Sequence, residues 1–134
     1  MNCIFCKIVS GELPSSKVYE DEKTLAFLDI KPIQPGHTLV IPKDHYTDVL
    51  DTPEDLLSDL IKTCKKVGGA VVKAMNADAF NLSANNGAAS GQDVFHTHFH
   101  VIPRKTENRL ASWPHRDYDK GQAIKIAEDI RKKI

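Results

Sequence analysis

The sequence predicts an α+β domain of antiparallel strands with segregated helices. Three observations point there. Short runs rich in β-branched and apolar residues are separated by turn-forming residues, as strands are. One long segment repeats apolar residues at helical spacing. The length, 134 residues, suits a single domain spanning 1–134.

The elements follow in order. Residues 17–20 read as a first strand, turned by Asp21, Glu22 and Lys23. Residues 24–30 place Leu25 and Phe27 on one side and Ala26, Leu28 and Ile30 on the other, as a well-covered strand does. Pro32, Pro35 and Gly36 force a loop, and residues 38–42 form a strand that Pro42 ends. A long helix comes next, with Thr52 as its N-cap, Pro53 at its first position, and Glu54 and Asp55 at the positive end of its dipole. Leu57, Leu60, Ile61, Cys64, Val67, Val71 and Met75 make its apolar stripe. Gly68 and Gly69 interrupt it, either as tolerated slack or for close approach of another backbone. Residues 80–84 read as a strand, 85–92 as a small-residue loop and 96–103 as another strand. Residues 121–134 read as a closing helix with Ala123, Ala127, Ile130 and Ile134 on one side.

Composition narrows the function. Lys and Arg total 18 against 18 Asp and Glu, a formal charge of zero, which argues against a nucleic-acid partner. A small phosphate site needs only a few placed donors and stays open. Hydrophobic residues are 41% and charged residues 27%, ordinary globular values. No run approaches a membrane span, and the first residues lack the pattern of a signal peptide. The three cysteines cannot all pair. Cys3 and Cys6 have metal-ligand spacing, so the reading is a reduced, cytoplasmic protein.

Histidine is the unusual residue: three of the six stand at His96, His98 and His100. Side chains alternate along a strand, so these three tend to one face and Thr97, Phe99 and Val101 to the other. Such a line serves as a metal site, as a nucleophile with helpers, or as nothing on a solvated strand. The apolar neighbours and the glycine loop in front argue against the last. That loop, with Asn85, Asn86, Gly87, Gly91 and Gln92, permits positive φ and can form an anion nest beside the histidines.

The motif His96-Thr97-His98-Phe99-His100-Val101-Ile102 resembles that of the histidine triad (HIT) family of nucleotide-binding proteins. The resemblance extends through Ile4-Phe5-Cys6-Lys7-Ile8, Ala26-Phe27-Leu28-Asp29-Ile30, Pro35-Gly36-His37 and Val40-Ile41-Pro42-Lys43-Asp44-His45. It implies a five-stranded antiparallel sheet with two main helices, and a homodimer whose sheets join. It implies hydrolysis or transfer of a nucleotidyl group, commonly AMP, from a phosphoramidate or phosphoanhydride. His98 would be the nucleophile, forming a nucleotidyl-histidine intermediate, with His100 holding phosphate and His37 orienting the nucleophile. Asn85 and the backbone at Gly91, Gln92, Asp93 and Val94 would contact phosphate. Asp29 would accept the ribose hydroxyls, and Phe5, Ile8, Phe27, Ile30 and Leu39 would wall the base. Asp93 departs from the family pattern, where several members place Ser or Thr; an ionised carboxylate cannot donate.

Cys3 and Cys6 make a zinc half-site by spacing. Zinc-bearing bacterial and archaeal members of the family, by resemblance, complete it with residues matching His45 and His96. That implies a structural zinc with no open position, and no cofactor in the chemistry. Cys64 falls in the helix stripe, and His115 has no motif behind it. Trp113-Pro114 is either a packing aromatic in a loop or, by the resemblance, part of a C-terminal segment placed near the partner's active site. A phosphoramidase is the first reading. A dinucleoside polyphosphate hydrolase, a binding or scaffold module with little turnover, and a metal-dependent hydrolase are the alternatives.

Overall fold

A computed structural model describes residues 2–134. The elements are α1 (Ile4–Val9), β1 (Lys17–Glu20), β2 (Thr24–Leu28), β3 (Thr38–Pro42), α2 (Glu54–Ala74), β4 (Ala79–Ser83), β5 (Phe99–Arg104) and α3 (Gln122–Arg131). The five strands form one antiparallel sheet in the order β1-β2-β3-β5-β4.

The period-two pattern sorts the strands' apolar residues onto two faces. Ala26, Val40 and Val101 face α2 and pack with Leu60, Cys64, Val67 and Val71. Leu25, Phe27, Leu39 and Ile41 face the other way, against Phe5 of α1. Burial on both faces explains why every residue of β3 is buried. Leu39 pairs with His100 and Val40 with Phe99. Directly opposed residues share a face, so His100 projects toward α1 while Val101 packs toward α2.

Several boundaries differ from the sequence expectation, each because a side chain or backbone group finds another partner. Helix α2 starts at Glu54, with Pro53 at its cap and no side-chain cap bond. Thr52 is drawn inward instead, donating to the Asp48 carbonyl at 2.7 Å and bonding the Thr97 hydroxyl at 2.8 Å. The last strand is paired only from Phe99. Pro42 has no amide to extend the ladder, and its carbonyl accepts from His96 Nε2 at 2.8 Å. The Thr97 amide leaves the sheet for the Tyr46 carbonyl, at 2.7 Å.

At Gly68 the close approach comes from a ring, not a backbone: an added Cβ would lie 2.7 Å from Phe80 of β4. Nothing lies within 4 Å of such an atom at Gly69. Helix α3 buries no residue, and Ile124, Ile130 and Ile134 are exposed. Helix α1 is the element the sequence reading did not name.

Candidate active site and metal centre

The imidazoles form a chain whose protons can be placed by elimination. The Ile33 amide donates to His37 Nδ1 at 3.1 Å, so that nitrogen is unprotonated and Nε2 carries the hydrogen. His37 Nε2 lies 2.9 Å from His100 Nδ1 and donates to it. His100 then holds its own proton on Nε2, the nitrogen left to meet a ligand. The His98 Nδ1–H donates to the His96 carbonyl at 2.7 Å, which leaves Nε2 as a free lone pair. The chain therefore presents one nitrogen with a free lone pair and one donor, on rings whose centroids are 5.0 Å apart.

Burial keeps His37 and His100 neutral. It lowers the pKa of His37 and pushes that of His100 down to about 4. The His98 and His37 rings add to the effect at His100, while Asp29 and Asp93 oppose it. Asp29 Oδ2 sits 3.7 Å from His37 Nε2, a long contact beside the shorter bond to His100. His37 thus touches His100 rather than His98, and any influence of His37 on His98 passes through His100. Asp29, His37 and His100 also have metal-site spacing. The proton on His37 Nε2 stands where a metal would have to bind.

The loop before the triad is braced by one side chain. Gln92 is buried, and its Oε1 accepts from the Gly87 amide at 2.7 Å. Its Nε2 donates to the Thr47 and Val94 carbonyls at 2.7 and 3.1 Å. Gly87 and Gly91 hold φ of +90° and +102°, which side chains rarely adopt. The Gly91 and Gln92 amides are used inside the turn, on the Ala88 and Gly87 carbonyls. The Asp93 and Val94 amides make no such bond among the described residues. Half-buried Asn85 lies against Gly91, and Asp93 is exposed.

The expected base wall is brought together only in part. Phe5, Phe27 and Leu39 are buried in the α1-face cluster, and Ile8 packs against it. Ile30 stands past the end of β2 at 90% exposure. Phe5, Phe27 and Leu39 are each no more than 5% exposed.

Cys3, Cys6, His45 and His96 converge, with ligand atoms within 4.8 Å of one another. Cys3 Sγ and Cys6 Sγ lie 3.5 and 3.6 Å from His96 Nδ1. His45 Nδ1 lies 3.4 Å from Cys6 Sγ and 3.2 Å from His96 Nδ1. Bonds of about 2.0–2.1 Å to nitrogen and 2.3 Å to sulfur, at tetrahedral angles, space ligand atoms about 3.3–3.8 Å apart. The donor set fits a zinc ion. His96 gives its Nε2 proton to Pro42, so its Nδ1 lone pair points into the cluster, and burial lowers its pKa.

Comparison with known proteins settles the family. Residues 10–107 match the family model described as the HIT domain. The chain belongs to the HIT family. It is 47% identical over 109 residues to an adenylylsulfatase of Arabidopsis thaliana, covering 81% of this chain and 55% of that protein. It is 38% identical over 134 residues to an adenosine 5'-monophosphoramidase of Saccharomyces cerevisiae, covering 98% and 82%. A crystal structure of a HIT family member from Bacillus subtilis superposes at TM-score 0.92 with 40% identity, covering 100% of this chain and 98% of that one. A Zn-bound histidine triad family protein from Mycobacterium smegmatis does so at TM-score 0.79 with 37% identity, covering 100% and 99%.

In this HIT domain two functional features escaped sequence reasoning. Helix α1 carries Phe5, Ile8 and Val9 at helical spacing, a signal that was present but short. Gln92's brace left none, since a loop glutamine carries no pattern.

Proposed function

We propose that this HIT protein is a nucleotidyl hydrolase of the phosphoramidase kind, working through a covalent adduct on His98. The observation that carries the reading is the 2.7 Å bond from His98 Nδ1 to the His96 carbonyl. It fixes the tautomer in which Nε2 holds the lone pair, as a nucleophilic histidine requires. Nε2 attacks the α-phosphorus of an AMP-type substrate, and the bond from phosphorus to the leaving amine breaks. The amine departs with a proton from solvent. The ring becomes cationic, and the His96 carbonyl faces its Nδ1–H. Water then attacks phosphorus, releasing the nucleoside monophosphate and a proton and restoring neutral His98.

His100 Nε2–H donates to a phosphate oxygen, with the Asp93 and Val94 amides and Asn85 as companions. His37 holds His100 in the donating tautomer. Asp29 takes the ribose hydroxyls, and the base lies along Ile8 and the nearby apolar residues. The relatives named as an adenylylsulfatase and a monophosphoramidase support an adenylyl substrate with a variable leaving group.

Cys3, Cys6, His45 and His96 would hold structural zinc, which supplies a crosslink and no open coordination position. Thiolate ligands favour a reducing, cytoplasmic setting. The edge strand β4 leaves Phe80 and Leu82 exposed, which supports a homodimer that continues the sheet. No helix of the described residues is long and apolar enough to cross a membrane.

The test is release of AMP from adenosine 5'-phosphoramidate. His98→Ala is expected to lower the rate about a thousandfold or more while AMP still binds. Turnover at the wild-type rate in that variant would leave a binding module in place of the enzyme.

A further inference from the structure

Phe5 joins the two histidine clusters. It lies on α1 between Cys3 and Cys6, and its ring meets His98 at 5.1 Å and an interplanar angle of 87°. The same ring meets His96 at 5.9 Å and Phe27 at 5.5 Å. With 5% of its surface exposed, the ring is held almost wholly within these contacts.

We propose that Phe5 is a positioning residue for His98. On this view α1, pinned by metal through Cys3 and Cys6, holds the nucleophile's ring at its attacking angle. His98 lies just before β5, outside the paired strand. Its Nδ1–H bond to the His96 carbonyl anchors one edge, and a single hydrogen bond lets a ring pivot about the anchor. Edge-to-face contact with Phe5, together with the His100 ring 5.0 Å away, takes up that freedom.

Phe5 is in turn only as fixed as α1. A six-residue helix does not persist by itself, so its place depends on Phe5 burial and on its cysteines. His96 serves both sides of the arrangement. Its imidazole belongs to the cluster of Cys3, Cys6 and His45 that would hold the metal, and its carbonyl is the anchor of His98. Metal occupancy therefore fixes the nucleophile from two directions without meeting substrate. Loss of that hold lowers the rate of attack and leaves nucleotide affinity alone.

The proposal rests on the covalent-hydrolase reading, and Phe5→Leu tests it. The variant should retain its full metal content and the wild-type KM and AMP affinity within about twofold. Its kcat should fall about tenfold or more, as small misplacements of reacting groups do. Nitrogen-15 spectra at one fixed pH should show the His98 ring leaving its single Nδ1–H form for a mixture. Phe5→Tyr, which keeps the ring, should restore most of kcat. Weaker AMP binding with unchanged kcat would make Phe5 a base-pocket wall and overturn the proposal. Unchanged kcat and an unchanged His98 spectrum would overturn it too. If the leucine variant loses metal, the volume-conserving Phe5→Met carries the same comparison. Wild-type protein that releases no AMP would refute the hydrolase reading alone, because the ring spectra still decide whether Phe5 orders His98.

Discussion

At the scale of single residues, the imidazole protons decide what the site can do. A free lone pair at His98 and an outward donor at His100 follow from two backbone groups, the His96 carbonyl and the Ile33 amide. Neutrality has a consequence for stability. The unfolded chain protonates its histidines near 6.5, whereas His100 resists until about 4 and His37 is shifted the same way. Between those values the unfolded state binds more protons, so stability is full above about pH 6.5 and falls as the pH drops toward 4. Urea midpoints across that range should show the loss. His100→Asn should flatten the slope by about one proton. The groups facing His100 are His37, His98, Asp29 and Asp93.

At the scale of elements, the loop of residues 85–94 is an example of burial serving a surface function. Gln92 makes three hydrogen bonds from a buried position, and two of them fasten segments more than two residues away. Gln92→Ala leaves the Gly87 amide and the Thr47 carbonyl without their partner. It should destabilise the protein by about 1–3 kcal/mol, read as a lower urea midpoint. Phosphate affinity should weaken with it, because the Asp93 and Val94 amides follow directly. Strand alternation made the histidine face and both sheet faces legible in sequence, since it depends only on period two. Gln92 and the Thr52–Thr97 contact were not legible. Each is set by partners some 45 residues away, which local pattern does not encode.

At the scale of the whole molecule, the sheet separates two tasks. The α2 face is a continuous apolar cluster, and the α1 face carries the histidine chain and the cluster of Cys3, Cys6, His45 and His96. The family motif made the second face readable because its residues keep fixed spacing. The exposed α3 was legible as a helix but not in its lack of cover, since an apolar stripe announces a contact without naming the partner. Removing metal with a chelator should lower the thermal midpoint and loosen α1 while β2, β3 and α2 stay protected from hydrogen exchange. Uniform loss of protection would mean that the metal holds the whole fold.

The metal cluster also orders events in time. Cys3 and His96 are 93 positions apart, so the site cannot close until most of the chain exists. During synthesis the two cysteines emerge first and wait, while the sheet that brings His96 to them is still incomplete. Long-range closures of this kind come late in folding. Val101 of β5 belongs to the α2-face core, so the His96–His98 segment falls into register in the same late step that completes that core.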